Sequence, residues 1–163
     1  MTQSEIIRTE FKKNDDIRDA GLTTPEGILR YDDIYYGEDK NWQILDVYRP
    51  KDISGDLPVI ISVHGGGWVY GDKERYQYYC MELALKGFAV VNFTYRLAPE
   101  FKFPSPVEDT ARVFEWVFDN ATKYGFDIKH VFAVGDSAGA QILGSYMALL
   151  TNFSFEALLK RDY

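Results

Sequence analysis

The chain has 163 residues, of which 46% are hydrophobic, and this length and composition suit one globular domain. Its formal net charge of −7 at pH 7 argues against nucleic acid and anionic membrane surfaces as partners. Cys80 is the only cysteine, so an internal disulfide is excluded and a cytoplasmic location is expected. No stretch approaches the ~20 apolar residues of a membrane span, and the first residues do not have the pattern of a signal peptide.

The first part of the chain contains three predicted strands after a polar start. Residues 1–27 are charged, with few apolar positions, and this composition favours a loosely ordered tail. Two β-rich runs follow, Ile28–Tyr36 and Gln43–Arg49, and the polar loop between them predicts an antiparallel hairpin. Val59–Val63 is a short apolar run that predicts a buried strand.

Helices and strands alternate from residue 72 onwards. Asp72 is expected to cap a helix over Lys73–Lys86, and Phe88–Tyr95 predicts the next strand. Ser105–Glu108 has the form of a capping box, and the helix that it opens is expected to end at Gly125. Apolar strands that alternate with amphipathic helices predict an α/β fold, with a mostly parallel sheet covered by helices on both faces.

A strand, a turn and a helix near the end of the chain carry the first chemical motif. Val131–Val134 predicts a buried strand, Gly135–Gly139 fits G-x-S-x-G, and an apolar helical pattern follows at once. In this context Ser137 lies on a sharp turn with its hydroxyl above the sheet, and the Ala138 N–H points toward the same space. The motif alone is weak, because a glycine-rich turn with serine as a helix cap has the same sequence.

A second motif follows the strand Val59–Val63. The segment His64–Trp68 contains three consecutive glycines, whose backbone N–H groups are free to face a ligand. An acyl-transfer enzyme needs such donors where the carbonyl oxygen of the substrate becomes negative. A flexible glycine loop without a ligand is the alternative interpretation.

Three motifs together resemble those of the α/β-hydrolase serine esterases. His64–Trp68, Tyr95–Glu100 and Gly135–Gly139 have the order and roughly the spacing of the hormone-sensitive-lipase type and its bacterial acetyl-esterase and carbohydrate-esterase relatives. The resemblance covers about residues 28–150. It implies an α/β-hydrolase fold that is truncated in this chain after the nucleophile helix, with residues 1–163 as a single partial domain.

The resemblance also implies roles for individual residues. The N-terminal segment 1–27 is a candidate cap over the active site, as in many members of the family. Ala140 departs from the pattern, because many relatives have a second glycine there. By role, the implied residues are Ser137 as nucleophile, Gly66, Gly67 and Ala138 as backbone donors of the oxyanion hole, and His64 and Gly65 as support for the oxyanion loop.

Four further residues near the motifs have two interpretations each. Trp68 and Tyr70 are candidates for a substrate pocket, although aromatic residues beside a strand end are more often part of the core. Glu100 and Asp109 match positions of the family, and we expect them to hold loops in place rather than to transfer protons.

The chain offers no obvious base for Ser137. The family places an acid and then a histidine downstream of the nucleophile, whereas the only histidines here are His64 and His130. At about 3.3 Å per strand residue, His130 is predicted to lie roughly 20 Å from Ser137, and His64 is expected to support the glycine loop. We therefore interpret the chain as the N-terminal half of an esterase.

Truncation of the domain would leave two apolar surfaces open. The strand Val131–Val134 would be an unpaired edge, through which a homo-oligomer is expected to form. The apolar segment that begins at Phe153 would also have nothing to cover it.

These observations together predict a serine carboxylesterase. The resemblance implies as substrate a small-molecule ester with a short, acetyl-type acyl group, including esters carried on a carbohydrate. No cofactor and no metal site are expected, because no Cys/His cluster or phosphate-binding loop occurs. The alternatives are an arylformamidase-like amidase or a peptidase, or a non-catalytic hydrolase-like domain that binds a ligand.

Overall fold

The strands form one mixed sheet in the order β1-β2-β4-β3-β5 in the computed structural model, which describes residues 1–151. β1 and β2 form the predicted antiparallel hairpin, and β2 also pairs antiparallel with β4. β4, β3 and β5 run parallel. The elements are α1 (Gln3–Arg18), β1 (Ile28–Tyr35), β2 (Ile44–Pro50), β3 (Leu57–Val63), α2 (Lys73–Ala84), β4 (Ala89–Phe93), α3 (Ser105–Asp119), α4 (Ala121–Tyr124), β5 (Phe126–Gly135) and α5 (Ala138–Thr151).

The register of the three parallel strands brings their carboxyl ends to one edge of the sheet. Val63 at the end of β3 lies beside Phe93 of β4 on one side and Gly135 of β5 on the other. The glycine motif, the segment Tyr95–Glu100 and the Ser137 turn directly follow these three strands. All three motifs therefore leave the sheet at the same edge, where ligands bind in open α/β sheets.

The two faces of the sheet are covered by different helices. On one face, Met81 of α2 packs with Ile60 and Val90 of the sheet. On the other face, Val113 of α3 and Ile142 of α5 belong to the larger core, which also contains buried residues of β2, β3, β4 and β5 and packs against Ile34 of β1. Burial of each such aliphatic side chain contributes about 1.5–3 kcal/mol, so helices on both faces stabilise the sheet.

The expectation of a loosely ordered N-terminal tail was wrong. Residues Gln3–Arg18 form a helix that begins with a capping box. The Thr2 hydroxyl accepts a hydrogen bond from the Glu5 N–H, and the Glu5 carboxylate accepts one from the Thr2 N–H at 2.6 Å. The polar composition of the segment does not indicate a helix. The pattern of Thr2 followed three residues later by Glu5 does, because it is the sequence signature of a capping box.

The capping box predicted at Ser105 does not form. Pro104 occupies the N-cap position of α3, no side chain caps the helix, and the N–H groups of Val107 and Glu108 bond to the Pro104 carbonyl instead. The helix also ends at Asp119 rather than near residue 125, because the short α4 follows it. The Asp72 cap of α2 is confirmed, with its carboxylate accepting from the Arg75 N–H at 3.0 Å.

Strand β5 lies at the edge of the sheet within residues 1–151. It pairs with β3 on one side, and Phe132 on it is 52% exposed. The apolar segment expected to be uncovered, from Phe153, lies outside the described residues. Among the described helices, none combines the length and the apolar composition needed to cross a lipid bilayer.

Candidate active site

The Ser137 turn is closely packed against the end of β3. Ser137 is exposed and has a φ of +47°, in the left-handed region that a residue with a side chain rarely adopts. A Cβ atom on Gly135 would lie 2.8 Å from the Gly139 carbonyl carbon. A Cβ atom on Gly139 would collide with the Val63 carbonyl oxygen and lie 2.6 Å from that of His64. Both glycines are therefore required by close contact between backbones.

Helix α5 begins directly at this turn. The Gly139 N–H bonds to the Asp136 carbonyl at 2.8 Å, and the Gln141 N–H bonds to the Ser137 carbonyl at 3.2 Å. The first N–H groups of a helix have no partner within it, and that of Ala138 is the first in α5. Its position next to Ser137 makes it available to an oxygen atom bound above the turn.

The glycine loop after β3 folds into a tight turn with an unusual backbone. Gly66, Gly67 and Trp68 have φ values of +123°, +62° and +62°. The Gly66 carbonyl accepts hydrogen bonds from the N–H groups of Val69 and Tyr70, at 3.3 and 3.0 Å. A Cβ atom on Gly66 would collide with the Tyr70 carbonyl, whereas one on Gly67 would meet no atom within 4 Å. The loop therefore has no space for a side chain at Gly66, whereas the space beside Gly67 is free.

Ser137 and the glycine loop share a cavity of about 360 Å³, and α1 forms its other wall. The volume is within the range of small-molecule sites. From the sequence, residues 1–27 were expected to be a loosely ordered tail or a cap, and none of the wall residues from α1 was predicted. The cavity is lined by Phe11, Asn14, Asp15 and Arg18 from α1, and by Gly65, Gly66, Gly67, Tyr70, Gly71, Tyr76, Asp136 and Ser137.

Tyr76 connects the two motifs. Its hydroxyl accepts a hydrogen bond from the Gly65 N–H at 3.0 Å and donates one to the Asp136 carboxylate at 2.7 Å. Burial and the bond to Asp136 raise the pKa of Tyr76, so the phenol keeps its proton at neutral pH. The sequence analysis missed this role, because helical spacing places Tyr76 on the apolar face of α2.

His64 lies in the interior directly beneath the glycine loop. Its ring stacks on Tyr95 with the centroids 4.0 Å apart, and its Nδ1 lies 2.7 Å from the Gly65 carbonyl oxygen. Burial lowers the pKa of His64 to about 4, so the ring is neutral at pH 7. Since a carbonyl oxygen only accepts, Nδ1 carries the proton and donates it, and the buried Nε2 has no partner within residues 1–151. The imidazole ring therefore fixes the Gly65 carbonyl of the glycine loop by a hydrogen bond.

The second histidine is far from Ser137. His130 lies on the exposed first half of β5, where Nδ1 is 2.7 Å from the Asp127 carboxylate. At about 3.3 Å per strand residue, it is roughly 20 Å from Ser137. The strand begins at Phe126, five residues before the predicted start at Val131, but the placement of His130 away from the site agrees with the expectation.

The two acids near the motifs hold loops. Asp109 is buried and accepts hydrogen bonds from the Arg96 backbone N–H and guanidinium, at 2.9 and 2.9 Å, and from Gln43 at 2.7 Å. Glu100 is bound by Arg8 of α1 through two hydrogen bonds of 2.8 and 2.6 Å. In both cases the partner of the carboxylate is a cation that belongs to another loop or helix.

Trp68 and Tyr70 line different cavities. Tyr70 faces the Ser137 cavity, where its hydroxyl donates to the Asp15 carboxylate at 2.9 Å. Trp68 is 45% exposed and lines a second, mainly apolar cavity of about 300 Å³ together with Phe101, Phe103 and Ile142. The two cavities have no lining residue in common.

The comparisons with known proteins agree with this geometry. The family model BD-FAE matches residues 45–161, which is most of the chain. The chain belongs to the BD-FAE family.

Relatives of this BD-FAE chain are named esterases. It is 36% identical, over 59% of its length, to the versiconal hemiacetal acetate esterase of Dothistroma septosporum, of which it covers 30%. It is 30% identical, over 91% of its length, to the ethyl acetate hydrolase of Pseudomonas putida, of which it covers 42%. The chain thus spans about a third of the length of the first curated relatives that it matches.

A solved esterase has the same fold. The inhibited esterase B of Lactobacillus rhamnosis superimposes on 96% of the chain with a TM-score of 0.90 and 28% identity, and the chain covers 52% of that structure. The predicted α/β-hydrolase fold and the predicted resemblance to esterases are therefore confirmed.

We expect Gly139→Ala to destabilise this BD-FAE chain by at least about 2 kcal/mol, because its Cβ atom would overlap two backbone carbonyls of β3 and the glycine loop. Gly144→Ala, on the same helix, is the matched control, since a Cβ atom there meets nothing within 4 Å. It should be neutral or stabilise by up to about 1 kcal/mol. Urea denaturation gives both free energies of unfolding, and equal values for the two variants would contradict the close-packing argument.

We expect the buried His64 to weaken the fold in mild acid. Because its pKa is lower in the folded state, the unfolded state binds the proton first, and stability falls as the pH drops from about 6.5 to about 4. The contribution is roughly 3 kcal/mol. His64→Gln should lack this part of the pH dependence, measured by urea denaturation at pH 7 and pH 4.5. An unchanged difference between the two pH values would show that His64 does not titrate in this range.

Proposed function

We propose that the protein is a serine carboxylesterase that forms an acyl-enzyme on Ser137. The observation that carries the proposal is that the strained Ser137 turn and the glycine loop open into one cavity. A residue with a side chain is held at positive φ only where the surrounding structure enforces it, and such strain is typical of functional sites. The esterase names of the relatives support the same function.

The proposed reaction begins when the Ser137 hydroxyl oxygen attacks the carbonyl carbon of the ester. The carbonyl oxygen becomes negative and accepts hydrogen bonds from the backbone N–H groups of Gly66, Gly67 and Ala138, and each such donor lowers the barrier by about 3–4 kcal/mol. The alcohol then leaves with a proton, and water hydrolyses the acyl-enzyme.

The proton acceptor for Ser137 is assigned to neither histidine of the sequence. His64 uses its only N–H on the Gly65 carbonyl and is enclosed against Tyr95. His130 is at the far half of β5, paired with Asp127. We therefore propose roles for the nucleophile and the oxyanion donors only.

A short acyl group is the proposed substrate feature. The apolar cavity beside Trp68 has a volume of about 300 Å³, which is at the small end for ligand sites. Both curated relatives described above are named for acetate esters. We place the acyl group beside Trp68 and the alcohol group in the cavity between Tyr70 and α1, and propose a small-molecule ester without a cofactor.

A cytoplasmic location and a homo-oligomer remain predictions. The location is expected from the single cysteine, Cys80, which is free and buried within α2. The homo-oligomer is expected from the edge position of β5.

We expect a fluorophosphonate probe to label Ser137 in the full-length protein, because the probe phosphonylates an activated serine. Mass spectrometry of the digested adduct identifies the residue. Ser137→Ala should lose both the label and the hydrolysis of p-nitrophenyl acetate, with kcat reduced by about 10⁶. Ser54→Ala, in the exposed loop before β3, is the control and should keep both. A label on another residue, or hydrolysis that survives Ser137→Ala, would reject the assignment.

We expect Trp68→Ala to shift the preference toward longer acyl chains, because removal of the indole enlarges the cavity that it shares with Phe103 and Ile142. The ratio of kcat/KM for p-nitrophenyl hexanoate to that for the acetate should rise at least about tenfold. Phe118→Ala removes an aromatic ring of similar exposure on α3, outside both cavities, and serves as control. An unchanged ratio in Trp68→Ala would place the acyl group elsewhere.

A further inference from the structure

Among the side chains of helix α1 that contact the glycine loop, Arg8 binds the backbone of the loop. Its Nε donates to the Val69 carbonyl at 2.7 Å, and one terminal nitrogen donates to the Ala98 carbonyl at 2.9 Å. The two terminal nitrogens also bind the Glu100 carboxylate, at 2.8 and 2.6 Å. One planar guanidinium thus uses four N–H groups to join α1 to the loops that follow β3 and β4.

The contact of Arg8 with Val69 fixes a peptide group of the glycine loop. The N–H groups of Val69 and Tyr70 bond to the Gly66 carbonyl, so the Val69 peptide forms part of the turn that Gly66 begins. The neighbouring Trp68 carbonyl accepts from the Ala98 N–H at 2.9 Å. Two successive carbonyls of the glycine loop are therefore fixed, one by the loop after β4 and the other by Arg8.

The arrangement is specific to arginine. Only a planar fork of N–H groups can reach two backbone carbonyls and both oxygens of a carboxylate at once, and a lysine ammonium cannot reproduce that geometry. The guanidinium holds the pKa of Glu100 down, at about 2, so the carboxylate stays ionised at neutral pH. The pair is partly exposed, with side-chain exposures of 32% and 44%, and such pairs contribute little to stability.

The docking of α1 does not depend on Arg8 alone. Arg75 of α2 binds Asp16 at 2.8 Å, and Arg18 donates to the Arg75 carbonyl at 2.7 Å. The Tyr70 hydroxyl bonds to Asp15, and the Phe11 ring packs edge-on against that of Tyr70. Loss of Arg8 would leave these contacts in place.

We propose that Arg8 is a positioning residue, which fixes the Val69 carbonyl and so directs the N–H groups of Gly66 and Gly67 toward the oxyanion. This inference rests on the proposed function. A small displacement of those donors weakens their interaction with the transition state and leaves the binding of the neutral substrate almost unchanged. Arg8 would therefore act on kcat rather than on KM.

The test compares Arg8→Ala, Arg8→Lys and the control Asp16→Asn in the full-length protein. Asp16→Asn removes the negative charge from a tether between α1 and α2 that does not touch the glycine loop. In both Arg8 variants kcat for p-nitrophenyl acetate should fall at least about tenfold, with KM changed less than about twofold. Ethylguanidinium added to Arg8→Ala should restore part of kcat and should not affect Arg8→Lys or Asp16→Asn.

A second measurement follows the loop itself. Amide hydrogen exchange of the peptide that contains residues 65–70 should become faster in the Arg8 variants and stay at the wild-type rate in Asp16→Asn. Full kcat in Arg8→Lys, or an equal loss of kcat in Asp16→Asn, would overturn the proposal, while the Ser137 label would still support an esterase. If the wild type hydrolyses no ester, the proposed function fails. In that case the amide hydrogen exchange decides alone, and an unchanged exchange rate of residues 65–70 in the Arg8 variants rejects the positioning role.

Discussion

The parallel register of β3 with β5 is the constraint on which the site depends. Val63 lies opposite Gly135, so the two strands end at the same level. The chain after each strand must turn within two or three residues, and Gly139 of α5 then meets the carbonyl oxygens of Val63 and His64. There is no room for a side chain at that contact. A shift of register by one residue would separate Ser137 from the glycine loop and also reverse the faces of β5.

Side chains from neighbouring helices hold the loops above this edge. Tyr76 of α2 joins the Gly65 N–H to the Asp136 carboxylate, and Arg8 of α1 joins the carbonyls of Val69 and Ala98. Backbone that leaves a sheet loses the hydrogen bonds of the ladder, so its polar groups need other partners. Here those partners come from the two helices α1 and α2, and the loop is fixed without strand pairing.

The chain order of the elements and the location of the site could be predicted because they depend on local patterns. The apolar run Val59–Val63, the glycines after it and the turn around Ser137 each have a signature within ten residues. The helix formed by Gln3–Arg18 was missed, because its composition is polar and its capping box is a signature of only two residues. The contacts of Arg8 with Ala98 and of Tyr76 with Asp136 could not be predicted, because the partners lie 90 and 60 residues away in sequence and depend on how the helices pack.

The charges around the Ser137 cavity bear on the proposed reaction, in which the transition state is negative. Asp15 and Asp136 both line the cavity and, left alone, would repel an oxyanion. Asp15 is bound by Arg18 at 2.9 Å and by the Tyr70 hydroxyl, and Asp136 is bound by the Tyr76 hydroxyl.

The two tyrosines keep their protons because burial and the adjacent carboxylates raise the pKa of both phenols. Each acid is thereby bound to a donor, and in the proposed reaction the backbone N–H groups of Gly66 and Gly67 remain to bind the oxyanion. The same two phenols orient carboxylates and fix the loops, so the electrostatics and the shape of the site depend on the same hydrogen bonds.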